Sequence, residues 1–385
     1  LTHQPIKSVS FRLATPADAH LDTYDNTKLT AYATCPTWGV TRYAMHKTMS
    51  GEGRVLPLEM GGAMHEFFAW VRLITLARQQ PTQEMADAVL HHHGDRLFTR
   101  GRLELITDSS IVLPEHNSVD DWLAHTSLNV LESSGYYDDP RDKRRTLSNM
   151  QEAALVYIQK WDRHHRVWMR DEQDPTSDVG IEIAFDLVVD IEFDDGDVII
   201  DYETSMALGK LVAHAASTMQ FRYTGKIDGI HWHRQYSDKL YLGENKTASR
   251  LNDAWIMSFI LASQVTGYCV AASVFTGETV RNAFIHGLSI PLPKSYDYGG
   301  IITEPVSRKD YHIKKWVEWM VGIVEGYRRY HNNPFDAPQY SHSCNRYFRA
   351  CSMVPFCDSE REEQVQMLAG MRVDEWSPLH KEVQE

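Results

Sequence analysis

The sequence predicts a mixed α/β fold in which a large helical insertion interrupts a sheet-forming region. Three observations predict it. Residues from about 60 to 170 carry apolar positions at helical spacing. Residues from about 180 to 290 carry period-two runs broken by turn signals. The order strand–strand–strand–helix–strand also differs from a doubly wound nucleotide-binding sheet.

Taken in order, "KLTAYATCPTWGVTRYAMHK" predicts a helix capped at Thr30. "MGGAMHEFFAWVRLITLARQQ" predicts a second, with Met64, Phe67, Phe68, Val71, Ile74 and Leu76 forming a broad apolar stripe. Residues 82–170 read as mostly helical, with breaks at His91–Gly94 and Tyr136–Pro140. The period then shortens. "GIEIAFDLVVDIEF", "DVIIDYETS", "FRYTGKIDGIHW" and "KLYLGENKT" read as strands, with "DDG" as a turn. "RLNDAWIMSFILASQVTGY" reads as a helix, "CVAASVFTG" and "AFIHGLSIPL" as a strand pair. "SRKDYHIKKWVEWMVGIVEGYRRY" is the last long helix, with Ser307 as its cap. Four divisions follow: an N-terminal segment 1–62, a core helix with the helical insertion 63–178, a sheet core with an acidic hairpin 179–300, and a C-terminal region 301–385.

At 385 residues, 43% hydrophobic and 24% charged, the chain has the composition of a soluble globular protein. No stretch has the apolar length of a membrane span, and "LTHQPIKSVS" lacks the apolar core of a secretory signal. A cytoplasmic setting without disulfides is expected. The net charge of −13 argues against a protein that coats nucleic acid non-specifically, but its distribution is uneven. Asp171 to Glu203 holds 13 acids and no Lys or Arg, leaving 52 − 13 = 39 acids elsewhere against 39 Lys+Arg. Arg222 to Arg250 has six basic residues against three acids, and Arg308 to Arg349 eight against four. Those two regions suit a polyanion.

The chemistry-bearing pattern is "LYLGENKT". Glu244 and Lys246 are two apart on a strand and so share a face. Asp228, in "GKIDGI" on the preceding strand, meets Glu244 if the strands are neighbours, and paired carboxylates bind a hard divalent cation. Lys246 would then orient or activate the attacking water and offset phosphoryl charge. An ordinary surface ion pair is the alternative for this spacing. Gln264 and Tyr268, four apart on the next helix, would hold substrate or fix Lys246, or pack on the sheet. His65 is a candidate metal ligand or a core histidine, and Glu182 a candidate outer carboxylate. Asp201 and Glu203 form a competing acidic pair, but Ser205 stands where a lysine would complete the pattern.

Cys35, Cys344, Cys351 and Cys357 are the remaining signal. Four thiolates hold zinc or an iron–sulfur cluster, and one isolated cysteine plus a spaced triplet favours the cluster; buried apolar cysteines are the alternative. Cys269 has no ligand role in this reading. Arg346, Tyr347 and Arg349, between the cysteines, offer charge and stacking to a DNA strand, or pack around the cysteines.

Read together, "YATCPTW", "GGAMHEFF", "GKIDG", "LYLGENKTA", "QVTGY" and "CNRYFRACSMVPFC" resemble the RecB-type PD-(D/E)XK nucleases that carry an iron–sulfur cluster. CRISPR-associated exonucleases, helicase-coupled nuclease domains and phage exonucleases belong to that group. The resemblance implies a restriction-endonuclease-like core with termini closed by a 4Fe–4S cluster on Cys35, Cys344, Cys351 and Cys357. It implies Mg²⁺ or Mn²⁺ on His65, Asp228, Glu244 and the backbone carbonyl of Asn245, with Lys246 catalytic and Gln264 and Tyr268 near the scissile phosphate. The C-x6-C-x5-C spacing departs from the commonest C-x2-C-x5-C. Expected function follows: a metal-dependent deoxyribonuclease, foremost an exonuclease on single-stranded ends. A structure-selective endonuclease and a non-catalytic DNA-end-binding or recombination factor are the alternatives. Expected partners are DNA and a helicase, recombination, CRISPR or phage protein in a bacterial, archaeal or phage-infected cell, with no membrane.

Overall fold

The structure, a computed structural model, describes residues 5–49, 56–107, 119–160, 166–194, 218–233, 239–290, 300–331, 333–346 and 349–376. "DVIIDYETS", with Asp201 and Glu203, lies outside them. The chain divides into two compact units, one of Leu1–Glu52, Phe185–Gly225 and Ile313–Glu385, the other of Gly53–Ala184 and Lys226–His312.

In chain order the elements are β1 (Ile6–Leu13), β2 (Thr23–Asp25), α1 (Asn26–Thr34), α2 (Pro36–Gly39), β3 (Lys47–Thr48) and α3 (Leu56–Arg78). The helical insertion follows as α4 (Gln83–Phe98), α5 (Arg100–Ile106), α6 (Val119–Glu132) and α7 (Leu147–Lys160). The chain then forms β4 (Arg166–Val167), β5 (Ile181–Phe193), β6 (Thr218–Trp232), β7 (Leu240–Ala248), α8 (Asp253–Ile260) and α9 (Ser263–Thr276). β8 (Asn282–Ser289), β9 (Ile301–Ser307) and α10 (Asp310–Tyr330) come next. Strands β5 and β6 each contribute residues to both units.

In the first unit β1 pairs antiparallel with β5, from Val9 opposite Ile191 to Leu13 opposite Leu187. β2 lies parallel to β6, Tyr24 opposite Tyr223. In the second unit β6 pairs antiparallel with β7, β7 lies parallel to β8, and β8 pairs antiparallel with β9. Helix α3 is the axis of this unit. It is apolar nearly all round, and its residues from Phe67 to Ala77 are buried, as a helix of that pattern must be. Phe67, Phe68 and Tyr157 stack tightly, and Trp70 donates its indole N–H to Thr126 at 2.9 Å.

Four local readings are corrected. Thr30 lies inside α1, whose cap is Asp25, its carboxylate accepting from the Lys28 amide at 2.8 Å. His91–Gly94 does not break α4; Gly94 is small because Leu103 presses against that turn, where a Cβ would stand 2.7 Å from a leucine methyl. "CVAASVFTG" is helical and belongs to α9, which ends at Gly277 in left-handed conformation (φ 77°). That helix is buried from Val265 to Ala272, so the alternation that separates strand from helix is absent. Ser307 ends strand β9 and caps nothing; its hydroxyl donates to Asn282.

The expected fold class is corrected as well. A mixed α/β fold with a large helical insertion forms, but no cluster of cysteine ligands ties the termini among the described residues. No single described helix is long and apolar enough to cross a membrane; α8 and α9 together reach that length but are bent by 48°.

Candidate metal centre

The site lies within the second unit. His65 and Arg72 are seven residues apart on α3, two turns, and therefore share a face. Strands β6 and β7 are paired from Ile230 opposite Leu242 to Trp232 opposite Leu240. Continuing that register by two residues sets Asp228 opposite Glu244. There a side chain takes over from the ladder: the Asn245 amide N–H donates to Asp228 Oδ2 at 2.7 Å.

Three ligand atoms, one each from His65, Glu182 and Asp228, lie within 4.8 Å of one another. His65 Nδ1 is 3.2 Å from Asp228 Oδ1 and 3.9 Å from Glu182 Oε1. Glu182 Oε2 is held by the Lys226 ammonium at 3.1 Å. Its Oε1 is buried without a hydrogen-bond partner among the described residues. An orphaned carboxylate oxygen facing an imidazole and a second carboxylate fits a divalent cation that prefers oxygen with some nitrogen. Glu182 also sits in left-handed backbone (φ 48°), a conformation costly for a residue with a Cβ and concentrated at functional sites. Two residues earlier Gly180 has no room for a Cβ against the Ile230 carbonyl.

Glu244 is the next carboxylate. Its Oε1 is 2.5 Å from the Lys246 ammonium, as the shared strand face allows. Burial first, then the Asp228 charge, pushes the Glu244 carboxyl up to about 7. Burial also works against the charged forms of Asp228, His65 and Lys246, but their partners prevail. His65, Lys246 and Arg72 hold Asp228 well below the usual carboxylate range. Asp228 and Glu182 push His65 up to about 10, and Glu244 and Asp228 raise Lys246. Lys246 is thus held in its charged form beside the carboxylates.

Behind the carboxylates stands Arg72, wholly buried. It donates to the Gly243 carbonyl at 2.8 Å, and to the side-chain oxygen of Asn245 at 2.7 and 2.9 Å with that amide turned toward the guanidinium. The same residue 245 thus anchors to Arg72 by its side chain and to Asp228 by its backbone N–H. Sequence reasoning missed Arg72 and Lys226. Both left a signal: an arginine inside an apolar helix two turns from His65, and a lysine two residues from Asp228, mirroring Glu244 and Lys246 on the partner strand.

Gln264 and Tyr268 lie on α9 and bond to each other, Gln264 Nε2 donating to the Tyr268 hydroxyl at 3.0 Å. Arg346 and Arg349 belong to a two-residue strand pair in the first unit; Tyr347 lies outside the described residues.

The cysteine reading is corrected. Among the described residues His65, Glu182 and Asp228 are the candidate metal group, and Cys35, Cys344, Cys351 and Cys357 form none. None of them forms a disulfide among the described residues. Cys351 and Cys357 pack with Met353, Phe356 and Met371, the setting of small hydrophobic residues. Burial, with smaller contributions from Cys35, Cys344 and Cys351, pushes the Cys357 thiol up to about 11. No 4Fe–4S cofactor is therefore assigned.

No protein-family model matches the chain, and no curated protein matches it. The resemblance to RecB-type PD-(D/E)XK nucleases is corrected accordingly: it is carried by no family match and lacks the four-cysteine centre that defined it.

Proposed function

We propose that this chain is a divalent-cation-dependent phosphodiester hydrolase that acts on DNA, with single-stranded ends as the favoured substrate. The observation that carries the reading is the unpartnered Glu182 Oε1 converging with His65 and Asp228 beside the Glu244–Lys246 pair. Mg²⁺ or Mn²⁺ held by His65, Glu182 and Asp228 would polarise a phosphoryl oxygen and lower the pKa of a bound water. The chain's own residues supply the rest. Lys246, kept charged by Glu244, offers fixed positive charge to a phosphoryl oxygen. Glu244, its carboxyl near neutrality, is suited to accept a proton from water or to join the ligand set. Asn245 and Arg72 keep Asp228 in place. The basic stretch from Arg222 to Arg250 supports a polyanionic substrate.

The test is a time course on linear single strands blocked at the 5′ or the 3′ end and on a circular single strand, in Mg²⁺, Mn²⁺ or EDTA. Release of nucleotides from linear strands only, lost in EDTA and in Asp228→Ala, is expected. Cutting of the circle would replace the exonuclease with an endonuclease. Absence of hydrolysis on every strand with either cation would reject the enzyme.

A further inference from the structure

A second site lies in the first unit, independent of the metal centre. A cavity of about 660 Å³, in the range of small-molecule pockets, opens among β2, α1, the end of α10 and Trp376. Its walls carry aromatic rings in two pairs: Tyr43 meets Trp376 edge to face at 5.7 Å, and Tyr24 lies 5.7 Å from Tyr327. Trp376, nine residues before the last residue Glu385, is brought there by the short strand Arg372–Val373, which pairs with β3, and by Asp374, which binds Arg42 at 2.8 Å.

The charged groups divide sharply into spent and unspent. Asp25 accepts from the Lys28 amide at 2.8 Å and from the Trp376 indole at 2.6 Å. Asp22 accepts from Arg328 at 2.9 Å, and Arg222 is engaged by Asp186. Lys28 is different. Its ammonium stands 4.4 Å over the Tyr24 ring and donates to the Thr23 carbonyl at 2.9 Å, with no ion-pair partner within 4 Å among the described residues. The Nδ1 of His46 is buried without a hydrogen-bond partner, on a residue held in left-handed backbone (φ 54°). Both carboxylates are engaged; what remains beside the aromatic faces is the Lys28 ammonium, and His46 and His331 also line the cavity.

We propose that this cavity binds a planar aromatic ligand bearing a phosphate, a nucleoside 5′-monophosphate, with its base against the Tyr43–Trp376 wall and its phosphate on Lys28 and His46. Stacking on tyrosine and tryptophan takes any base, and an anion would supply the partner that Lys28 lacks. Burial lowers the Lys28 amine, with Asp25 and Asp22 only partly opposing it, and a bound phosphate would oppose it further.

The experiment titrates dAMP, deoxyadenosine and inorganic phosphate into the full chain in EDTA, read by calorimetry and by tryptophan fluorescence. The site rests on no metal, so a failure of the hydrolase reading leaves it standing and its own failure leaves that reading intact. dAMP should bind about tenfold or more tighter than either fragment, and Lys28→Gln should cost about tenfold, as the loss of one charge-assisted bond. Trp376→Leu should weaken dAMP and leave phosphate unchanged. His46→Ala is the second variant if Lys28→Gln unfolds, and it too should weaken dAMP. Absence of dAMP binding, equal binding of phosphate and dAMP, or wild-type affinity in folded Lys28→Gln or His46→Ala would overturn the proposal.

Discussion

Replacing Arg72 by Met tests whether a buried cation holds the metal centre together. The side chain has no exposure, and its guanidinium serves two acceptors, the Gly243 carbonyl and the Asn245 amide oxygen. Bonds from a charged donor contribute about 1.5–3 kcal/mol each, so two acceptors amount to about 3–6 kcal/mol. Relief of the desolvated guanidinium offsets part of that, placing the expected loss near the lower end, about 3 kcal/mol. Methionine nearly fills the volume, so little of the loss comes from a cavity. Urea denaturation of the metal-free protein should show a lower midpoint at unchanged slope. Arg72→Lys, which keeps charge and loses the two-pronged geometry, should fall between. The variant should also lose most of the thermal stabilisation by Mn²⁺, because Asn245, once unanchored, no longer fixes Asp228. A midpoint within about 0.5 kcal/mol of wild type, the range of an ordinary surface substitution, would refute the reasoning. So would lysine as damaging as methionine.

Other outcomes follow from the same geometry. Asp228→Ala and Lys246→Ala should each lower Mn²⁺-dependent cleavage by about 100-fold or more, the scale of a lost electrostatic contact in a transition state, with Lys246→Ala still binding Mn²⁺ in a thermal-shift titration. Gly229→Ala should cost about 1–3 kcal/mol, because its Cβ would stand 2.6 Å from His231 Nε2 and 2.7 Å from Arg72 Nε; a urea melt superimposing on wild type would contradict this. Mn²⁺ affinity should climb from pH 6.5 toward pH 10, since His65 must give up the proton that Asp228 and Glu182 hold on it; calorimetry in buffers of different ionisation heat would detect its release. In metal-free protein the raised Glu244 favours the folded state below its unfolded value, and that benefit is lost as pH rises from about 4.5 through about 7. Glu244→Gln should flatten the stability profile across that window.

The parts of the fold legible in the sequence were those with strong, uninterrupted periodicity. Helix α3, strands β5 to β7 and helix α10 all form close to their expected residues. The misreadings share a cause. "CVAASVFTG" is enclosed by neighbours, so its apolar residues carry no period, and only Gly277 marks where the helix stops. Gly94 looked like a breaker because the sequence does not show that Leu103 would press on it. The cysteines misled for a related reason. Spacing suggested ligands, whereas Cys351 and Cys357 pack against Met353, Phe356 and Met371, surroundings that the cysteine spacing does not show.

Within the candidate centre, strand periodicity revealed the acids and concealed what balances them. Glu244 and Lys246 could be paired because alternation fixes which residues share a face. Glu182 was legible only as one acid among many, since its left-handed backbone and its unpartnered oxygen are features of the folded chain that no residue pattern marks. Arg72 and Lys226 carried a sequence signal that was not read as part of the site, yet three buried carboxylates crowded together need them. Lys226 holds one oxygen of Glu182 and so leaves the other facing His65. Arg72 offsets Asp228 from behind and, through Asn245, fixes its direction. With Lys226 on one oxygen of Glu182, the other, near His65 and Asp228, is the one left for a divalent ion. The positive charges therefore determine where that ion can sit as much as the ligands do, and Arg72→Met should displace it without touching a ligand.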